Sequence, residues 1–169
     1  MQNPPLSDAT ATARPVLTVG EIGFAAARAL LADFDLRLHE VAADAIIPGS
    51  YWGECEAGVI ASAVYARADT PVHSLLHEAC HLIVLPAERR AHVHTDATDS
   101  IEEEDATCYL QILLADRLPG VGRARLMQDM DTWGYSFRLG STRAWFEHDA
   151  DNARVWLAAR GLPSPLVAA

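Results

Sequence analysis

Two histidines, His77 and His81, stand four residues apart in an otherwise apolar stretch of the chain, and Glu78 follows the first of them. Residues at i and i+4 lie one turn apart on the same face of a helix, so both imidazole rings can reach one metal ion. Glu78 is rotated away from that line, toward a water in the open position of the metal, whose proton it can take. The spacing therefore predicts a zinc site with Glu78 as a catalytic base.

The same three residues have a simpler interpretation, in which the histidines are ordinary helix residues and Glu78 is a solvated charge. Their surroundings argue against it, because the segment 72–85 is otherwise strongly apolar. Burying two imidazoles and a carboxylate in such a helix costs free energy unless a partner satisfies them. A bound ion supplies that partner, which favours the metal interpretation.

A third ligand is expected from the acidic block 102–105, which begins 21 residues after the second histidine. On a helix that starts near residue 101, Glu103 lies on an apolar stripe that should pack toward the metal helix. Glu102 lies on a rival apolar stripe, and Glu104 is expected to be more exposed. We therefore predict Glu103 as the ligand and Glu102 as the second choice. The stripe of Glu103 continues through Ala106, Leu110 and Leu114, and that of Glu104 through Cys108 and Gln111.

Other interpretations of this region stay open. Ser100 and Glu103 form a capping-box pattern, in which Glu103 would only close the start of the helix. The polar segment 88–99 also holds potential ligands. The compact H-E-x-x-H-x-x-G-x-x-H arrangement is absent, because Val84 and Ala87 occupy the positions of its glycine and its third histidine. The competing ligands are His92, His94 and Asp96.

The two segments together resemble the gluzincin metallopeptidases, and within that group they are most similar to the ImmA/IrrE family of small zinc peptidases. The second signature of that family resembles E-x-x-A-N-x-F-A-x-x-L-L, to which residues 103–114 correspond. Glu103 falls on the ligand position, Ala106 on the small residue and Tyr109 on the aromatic one. Thr107 stands where the family has Asn or Asp to orient a ligand histidine. Alternative residues for that role are Asp96, Asp99 and Asp105.

The resemblance implies a zincin-like fold with one zinc ion per chain, held by His77, His81 and Glu103. It also implies a peptide or protein substrate, hydrolysed with Glu78 as the base. Members of this class use a donor to stabilise the oxyanion of the reaction. Here the candidates for that donor are Tyr135, Arg138 and His148, with packing as an equally open interpretation.

Length and composition limit the remaining possibilities. The 169 residues are expected to form a disordered lead-in over 1–15 and one domain over 16–169. A net charge of −10 argues against nucleic acid and against an anionic membrane as partners. Three cysteines are too few for a disulfide framework, which favours a reducing, cytoplasmic setting. Cys80, inside the metal motif, is expected to be a packing residue, with a redox role as the alternative. The sequence gives no indication of the oligomeric state.

Periodicity and turn residues predict an α+β domain with a short antiparallel or mixed sheet and a helical C-terminal part. Thr70 and Pro71 are expected to open the metal helix. Tyr65 and Arg67 are placed on an edge strand that an extended peptide can join. The predicted helices cover 18–32, 70–85, 101–118, 122–133 and one or two within 141–160, and the predicted strands cover 36–41, 57–60 and 63–67.

Two further function classes stay open beside the zinc peptidase. The first is a non-catalytic protein that keeps the zincin-like fold to bind a partner or to sense metal. The second is a helical adaptor without metal. The intact Glu78 argues against the first, because a purely structural metal site needs no base.

Overall fold

A computed structural model of the chain describes residues 15–53, 55–98 and 100–163. The predicted lead-in, apart from Pro15, lies outside these ranges. The described part is mixed α and β, with a three-stranded sheet and helices before and after it. The strands are β1 (Arg37–Glu40), β2 (Gly58–Ile60) and β3 (Ala63–Ala66). The helices are α1 (Val19–Ile22), α2 (Phe24–Ala32), α3 (Val72–Val84), α4 (Ala87–Arg90), α5 (Ile101–Ala115), α6 (Gly122–Trp133), α7 (Thr142–His148) and α8 (Asp151–Ala159).

The sheet has the order β1-β3-β2, with β1 parallel and β2 antiparallel to β3. The two predicted strands 57–60 and 63–67 thus correspond to β2 and β3, which pair as an antiparallel hairpin. The expectation that Tyr65 and Arg67 lie on an edge strand is wrong, because β3 is the middle strand. Arg67 follows β3 with its side chain buried, where it binds Asp69 and the carbonyl of Ala45.

The outer edge of β2 is covered by a segment that follows α4. The amide of Thr95 donates to the carbonyl of Val59 at 3.0 Å, and the amide of Ala61 donates to the carbonyl of Val93 at 2.8 Å. The amide of Val59 donates in turn to the carbonyl of Gly49 at 3.3 Å. Backbone groups that point away from β3 are therefore already bonded within the chain.

The predicted N-terminal helix is interrupted. Thr18 and Glu21 form the expected capping box at its start. Gly23 then adopts φ 85°, which ends α1, and α2 begins at the next residue. A positive φ of this kind is natural for glycine and strained for other residues, so the break is encoded at this one position.

Helix α3 is buried on nearly every side, since Glu78 is the one residue of its 13 that keeps partial exposure. Its N-cap is Pro71 and not the predicted Thr70. The hydroxyl of Thr70 instead accepts a hydrogen bond from the amide of Arg67 at 2.9 Å, which closes the turn after β3. The helix ends before Pro86, as the sequence predicts.

Helices α4 and α5 follow, and α5 packs against α3, α6 and α8. The segment predicted as a loop contains α4, one turn of helix that starts after Pro86. Ser100 caps α5 by accepting from the amide of Glu103 at 3.2 Å. The helix ends at Ala115, three residues before the predicted Leu118.

The C-terminal part is helical, as predicted. Gly134, with φ 105°, ends α6, and the segment that follows contains turns and no strand among the described residues. Ser141 caps α7 through the amide of Ala144, and the segment 141–160 holds two helices, α7 and α8. Within the described ranges, no helix is both long enough and apolar enough to cross a bilayer.

Replacement of Leu110 by alanine tests this core. Leu110 lies in the middle of α5 with no exposed surface. We expect Leu110→Ala to lower the free energy of unfolding by about 2–5 kcal/mol, because it removes buried methyl groups and leaves a cavity. Leu139→Ala, at a leucine that is 51 % exposed, is the matched control and should change it by less than about 0.5 kcal/mol. Urea unfolding followed by circular dichroism measures both, and equal effects would contradict the described packing.

Candidate metal centre and active site

Three potential metal ligands meet where α3 packs against α5. His77 and His81 lie on the same face of α3, with their Nε2 atoms 3.0 Å apart. Glu104 of α5 approaches both, with Oε1 3.2 Å from Nε2 of His77 and Oε2 3.5 Å from Nε2 of His81. One ligand atom from each residue lies within 4.8 Å of the others, so this group could hold a metal ion.

The structure brings Glu104, and not Glu103, to the two histidines. The carboxylate of Glu103 is turned to Arg89 of α4, whose Nη1 lies 2.5 Å from Oε1. Glu102 is exposed. The face of α5 that meets the histidines carries Glu104, Thr107 and Gln111, which is one residue out of register with the predicted stripe. The prediction of Glu103 is therefore corrected: Glu104 is the carboxylate that joins the two histidines in the group that could hold an ion.

The competing ligands of the intervening segment lie elsewhere. His94 is exposed, and its Nδ1 contacts the hydroxyl of Thr95 at 2.9 Å. His92 is exposed and lines a neighbouring depression together with Arg89. Asp96 lines the cleft above the histidines. Among the described residues, these three do not join the group that could hold an ion.

Gln111 fixes the orientation of the His77 ring. Its Oε1 lies 2.6 Å from Nδ1 of His77, and its amide nitrogen donates to the backbone carbonyl of His73 at 3.3 Å. The second contact defines which end of the amide is oxygen, so Nδ1 of His77 must carry a proton and donate. The lone pair of Nε2 is then directed at the metal position, as a ligand histidine requires.

Thr107 plays the corresponding part for His81. Its hydroxyl donates to the carbonyl of Glu103 at 2.8 Å and lies 3.5 Å from Nδ1 of His81. Because the hydroxyl proton is already used, its oxygen accepts from the ring. This contact is long, so it is weaker than the one between Gln111 and His77. Thr107 therefore lies at the position expected to orient a ligand histidine, where its hydroxyl is a weak partner for His81. Of the alternatives Asp96, Asp99 and Asp105, Asp99 lies outside the described residues.

The chemistry of these atoms fits a cation. With both Nδ1 atoms used as donors, three lone-pair groups converge on one point: two imidazole nitrogens and a carboxylate. Oε1 of Glu104 is buried and makes no hydrogen bond within the described part of the chain. Acceptors that converge in a protein interior are costly unless a positive group lies between them, and a metal ion would satisfy all three.

Burial and the neighbouring charges set the protonation of this group. Burial, and after it the charge of His77, lower the pKa of His81 to about 3, against the opposing effect of the nearby carboxylates. Burial also acts to lower the pKa of His77, but its polar contacts, including that with Glu104, raise it well above the ordinary value. Burial disfavours the charge on Glu104, yet the contact with His77 brings its pKa down to about 2. The raised pKa of His77 and the lowered pKa of Glu104 both reflect an attraction between the ring and the carboxylate.

Glu78 faces the same space from the next position on α3. It is partly buried and lines the cleft. Its pKa is raised to about 7, chiefly by burial; the charge of His77 acts to lower it, and the carboxylates of Glu56, Glu104 and Asp96 act to raise it. A carboxyl group with a pKa near neutrality can both accept and donate a proton.

The cleft above the three ligands has a volume of about 500 Å³. It is open to solvent, and it is lined by residues at positions 51, 52, 56, 95–98, 100, 101, 133 and 135, together with side chains of α3 and Glu104 of α5. The histidines therefore line a cavity that is large enough to receive part of a polymer chain.

Of the three candidates for an oxyanion donor, Tyr135 is the one that lines this cleft. Its hydroxyl lies 3.2 Å from Nδ1 of His73, and burial raises the pKa of the phenol, which keeps it protonated. Arg138 is paired with Asp149 on the surface, and His148 is exposed beside Glu147. The sequence interpretation of Cys80 as a packing residue agrees with its position, because it is fully buried and burial raises its pKa.

Comparisons of the chain with models of protein families, with characterised proteins and with solved structures gave no match. The site is therefore interpreted from its own geometry and from the spacing of its residues.

The choice between the two glutamates can be tested with a matched pair of variants. We expect Glu104→Gln to lower zinc affinity at least about a hundredfold, more than loss of an orienting residue does, because it removes a ligand charge. Glu103→Gln should retain the metal, since that carboxylate is turned to Arg89. Competition with a chromophoric chelator measures both affinities. Metal loss in Glu103→Gln with retention in Glu104→Gln would restore the original assignment.

The orienting role of Gln111 gives a second prediction. Gln111→Ala should lower zinc affinity about 10–100-fold while the ligands themselves remain, because the ring of His77 loses the acceptor that fixes its tautomer. Gln128→Ala, at an exposed glutamine of α6, is the control and should bind zinc as the wild type does. Circular dichroism confirms that both variants are folded. Unchanged affinity in Gln111→Ala would show that the hydrogen bond does not orient the ligand.

Proposed function

We propose that this chain is a zinc-dependent peptidase, a hydrolase that holds one zinc ion by His77, His81 and Glu104. The observation that supports it is the convergence of two imidazole nitrogens and a carboxylate at an open cleft that Glu78 also lines. A purely structural zinc site is closed by four protein ligands, whereas a catalytic site has three and leaves a position open.

The donor set supports zinc in particular. Two neutral imidazoles and one carboxylate are a combination found in catalytic zinc sites. When bound, the ion acts as a Lewis acid that polarises the substrate carbonyl and makes water more acidic. Gln111 and Thr107 hold the two rings in the tautomer that such binding requires.

Glu78 is the proposed general base and then the general acid. It takes a proton from the attacking water and delivers it to the amine that leaves when the peptide bond breaks. Its position directly after His77 puts the carboxyl group in the cleft without making it a ligand. Tyr135 is the proposed donor to the oxyanion, because a protonated phenol in the cleft can hydrogen-bond an oxygen that gains negative charge.

The peptide bond as substrate rests on the resemblance to gluzincins, in which two histidines of H-E-x-x-H and a glutamate on a following helix bind zinc. With Glu104 as the third ligand, Ala106 and Tyr109 no longer fall on the positions that the narrower ImmA/IrrE signature gives them. The proposal therefore uses the broader gluzincin pattern. A non-catalytic metal-binding protein of the same fold is the alternative outcome of the experiments below.

Replacement of Glu78 tests the hydrolase directly. We expect Glu78→Gln to bind zinc nearly as well as the wild type and to lose about 10²–10⁴-fold in rate, because the amide cannot accept the proton of water. The matched control is Glu88→Gln, at an exposed position of α4, which should cleave normally. Cleavage is followed by mass spectrometry on a mixed peptide library, with metal content measured in parallel.

Two results would contradict the proposal. Undiminished cleavage by zinc-loaded Glu78→Gln would assign the base to another residue. If the zinc-loaded wild type cleaves nothing across the library, the non-catalytic alternative becomes the better account of the site.

The role of Tyr135 is tested by Tyr135→Phe, which removes one oxygen atom and keeps the ring contacts with His73 and His77. We expect kcat to fall by about 10²-fold, the usual effect of losing one oxyanion donor. KM should change little, since the hydrogen bond strengthens only in the transition state. Steady-state kinetics on the best library peptide separates the two constants, and a rise in KM alone would assign Tyr135 to substrate binding.

A further inference from the structure

Three large apolar side chains stand exposed at the cleft. Tyr51 is 61 % exposed and Trp52 is 55 % exposed, and their rings contact each other edge to face, with centroids 4.7 Å apart. Ile101, the first residue of α5, is 77 % exposed and lines the same cleft. Grouped exposure of large apolar groups beside a cavity is typical of binding surfaces, whereas scattered single residues are not.

The grouping is specific to this place. Six large apolar residues of the described chain are strongly exposed, and three of them line the cleft. The other three are single positions away from its lining: Ile46, Leu139 and Val155. An aromatic pair loses little conformational freedom on binding and offers a large contact area, so Tyr51 and Trp52 are suited to hold an apolar side chain.

Apart from the two histidines, the charged side chains that line the cleft are acidic. Besides Glu78 and Glu104, the carboxyl groups of Glu56 and Asp96 line it, and no arginine does so among the described residues. Glu56 is held in place by the indole nitrogen of Trp133, which donates to its Oε1 at 2.9 Å. The whole chain has no lysine and a net charge of −10. A bound zinc ion would balance the two carboxyl groups nearest the histidines and leave Glu56 and Asp96 to act on the rest of a ligand.

We infer that the cleft selects an extended peptide segment in which a large apolar side chain stands next to a basic one. The apolar side chain contacts Tyr51, Trp52 and Ile101. The basic side chain is attracted by Glu56 and Asp96. This inference deepens the proposed function by naming its substrate class, and it rests on that function only for the location of the scissile bond.

Binding can be measured without hydrolysis, which makes the inference testable by itself. The protein is zinc-loaded Glu78→Gln, and the probe is a fluorescein-labelled octapeptide, Ala-Ser-Ala-Arg-Phe-Ala-Ser-Ala. Two companion probes replace Phe by Ala or Arg by Glu. Fluorescence anisotropy should show about tenfold weaker binding without Phe, as burial of an aromatic group requires, and about three- to tenfold weaker binding with Glu in place of Arg.

Second-site variants connect each preference to its residues. Adding Trp52→Ala or Ile101→Ala should weaken binding of the peptide that contains Phe about fivefold to tenfold. The affinity for the peptide with Ala in place of Phe should stay nearly unchanged. Adding Val155→Ala, at a 60 % exposed residue outside the cleft lining, is the control. It should leave the affinities for both peptides unchanged. Adding Asp96→Asn should reduce the preference for Arg over Glu. That preference should also disappear near 1 M salt, where the Debye length is about 3 Å.

The possible outcomes are distinct. If the three probes bind equally, or if Trp52→Ala and Ile101→Ala behave as Val155→Ala does, the inference is wrong. Failure to bind any probe overturns it as well. If the preferences hold while the zinc-loaded wild type cleaves no peptide, the inferred binding cleft stands and the proposed hydrolase fails. If the wild type cleaves library peptides without regard to apolar or basic residues, the hydrolase stands and the inference fails.

Discussion

The convergence of three acceptor groups in the buried contact between α3 and α5 is the constraint on which the site depends. The group consists of the Nε2 atoms of His77 and His81 and the carboxylate of Glu104. The Nδ1 atoms of the two rings contact Gln111 and Thr107, which orient the rings. Such a group is costly to bury, and a positive charge between its members reduces that cost. Ion binding and the packing of these two helices are therefore thermodynamically linked, and an ion that binds only the folded chain stabilises it.

The sequence predicted those parts of the site that depend on local spacing. His77, Glu78 and His81 belong to one helix, so their relative positions follow from helix geometry alone. The third ligand depends on how α5 is rotated about its axis against α3, and a shift of one residue turns the side chain by about 100°. Apolar periodicity favoured Glu103, but Arg89 from the unpredicted helix α4 binds that carboxylate. Tertiary pairing of this kind leaves no trace in the periodicity of α5.

Gln111 could have been found from the sequence. Gln111 lies seven residues after Glu104, and both belong to one helical stripe that also contains Cys108. Because the two ends of that stripe are polar, the stripe was predicted to be exposed. A polar stripe that faces two buried histidines is equally consistent with a metal site, because ligands and their orienting partners are themselves polar.

The fold, like the site, has parts that local sequence patterns predict and parts that depend on contacts between distant residues. The hairpin and the main helices follow from local patterns, whereas the parallel pairing that makes β3 the central strand joins residues far apart in sequence.

The covered edge of β2 has a consequence for the time that a ligand stays bound. Val93 and Thr95 already bond the outward backbone groups of this strand, and the same segment continues into the wall of the cleft. A peptide in the cleft cannot add itself to the sheet at this edge, so it gains no ladder of main-chain hydrogen bonds there. Under the proposed function, the residence time of a peptide would then depend on its side chains, and discrimination between peptides would reside in their dissociation rates.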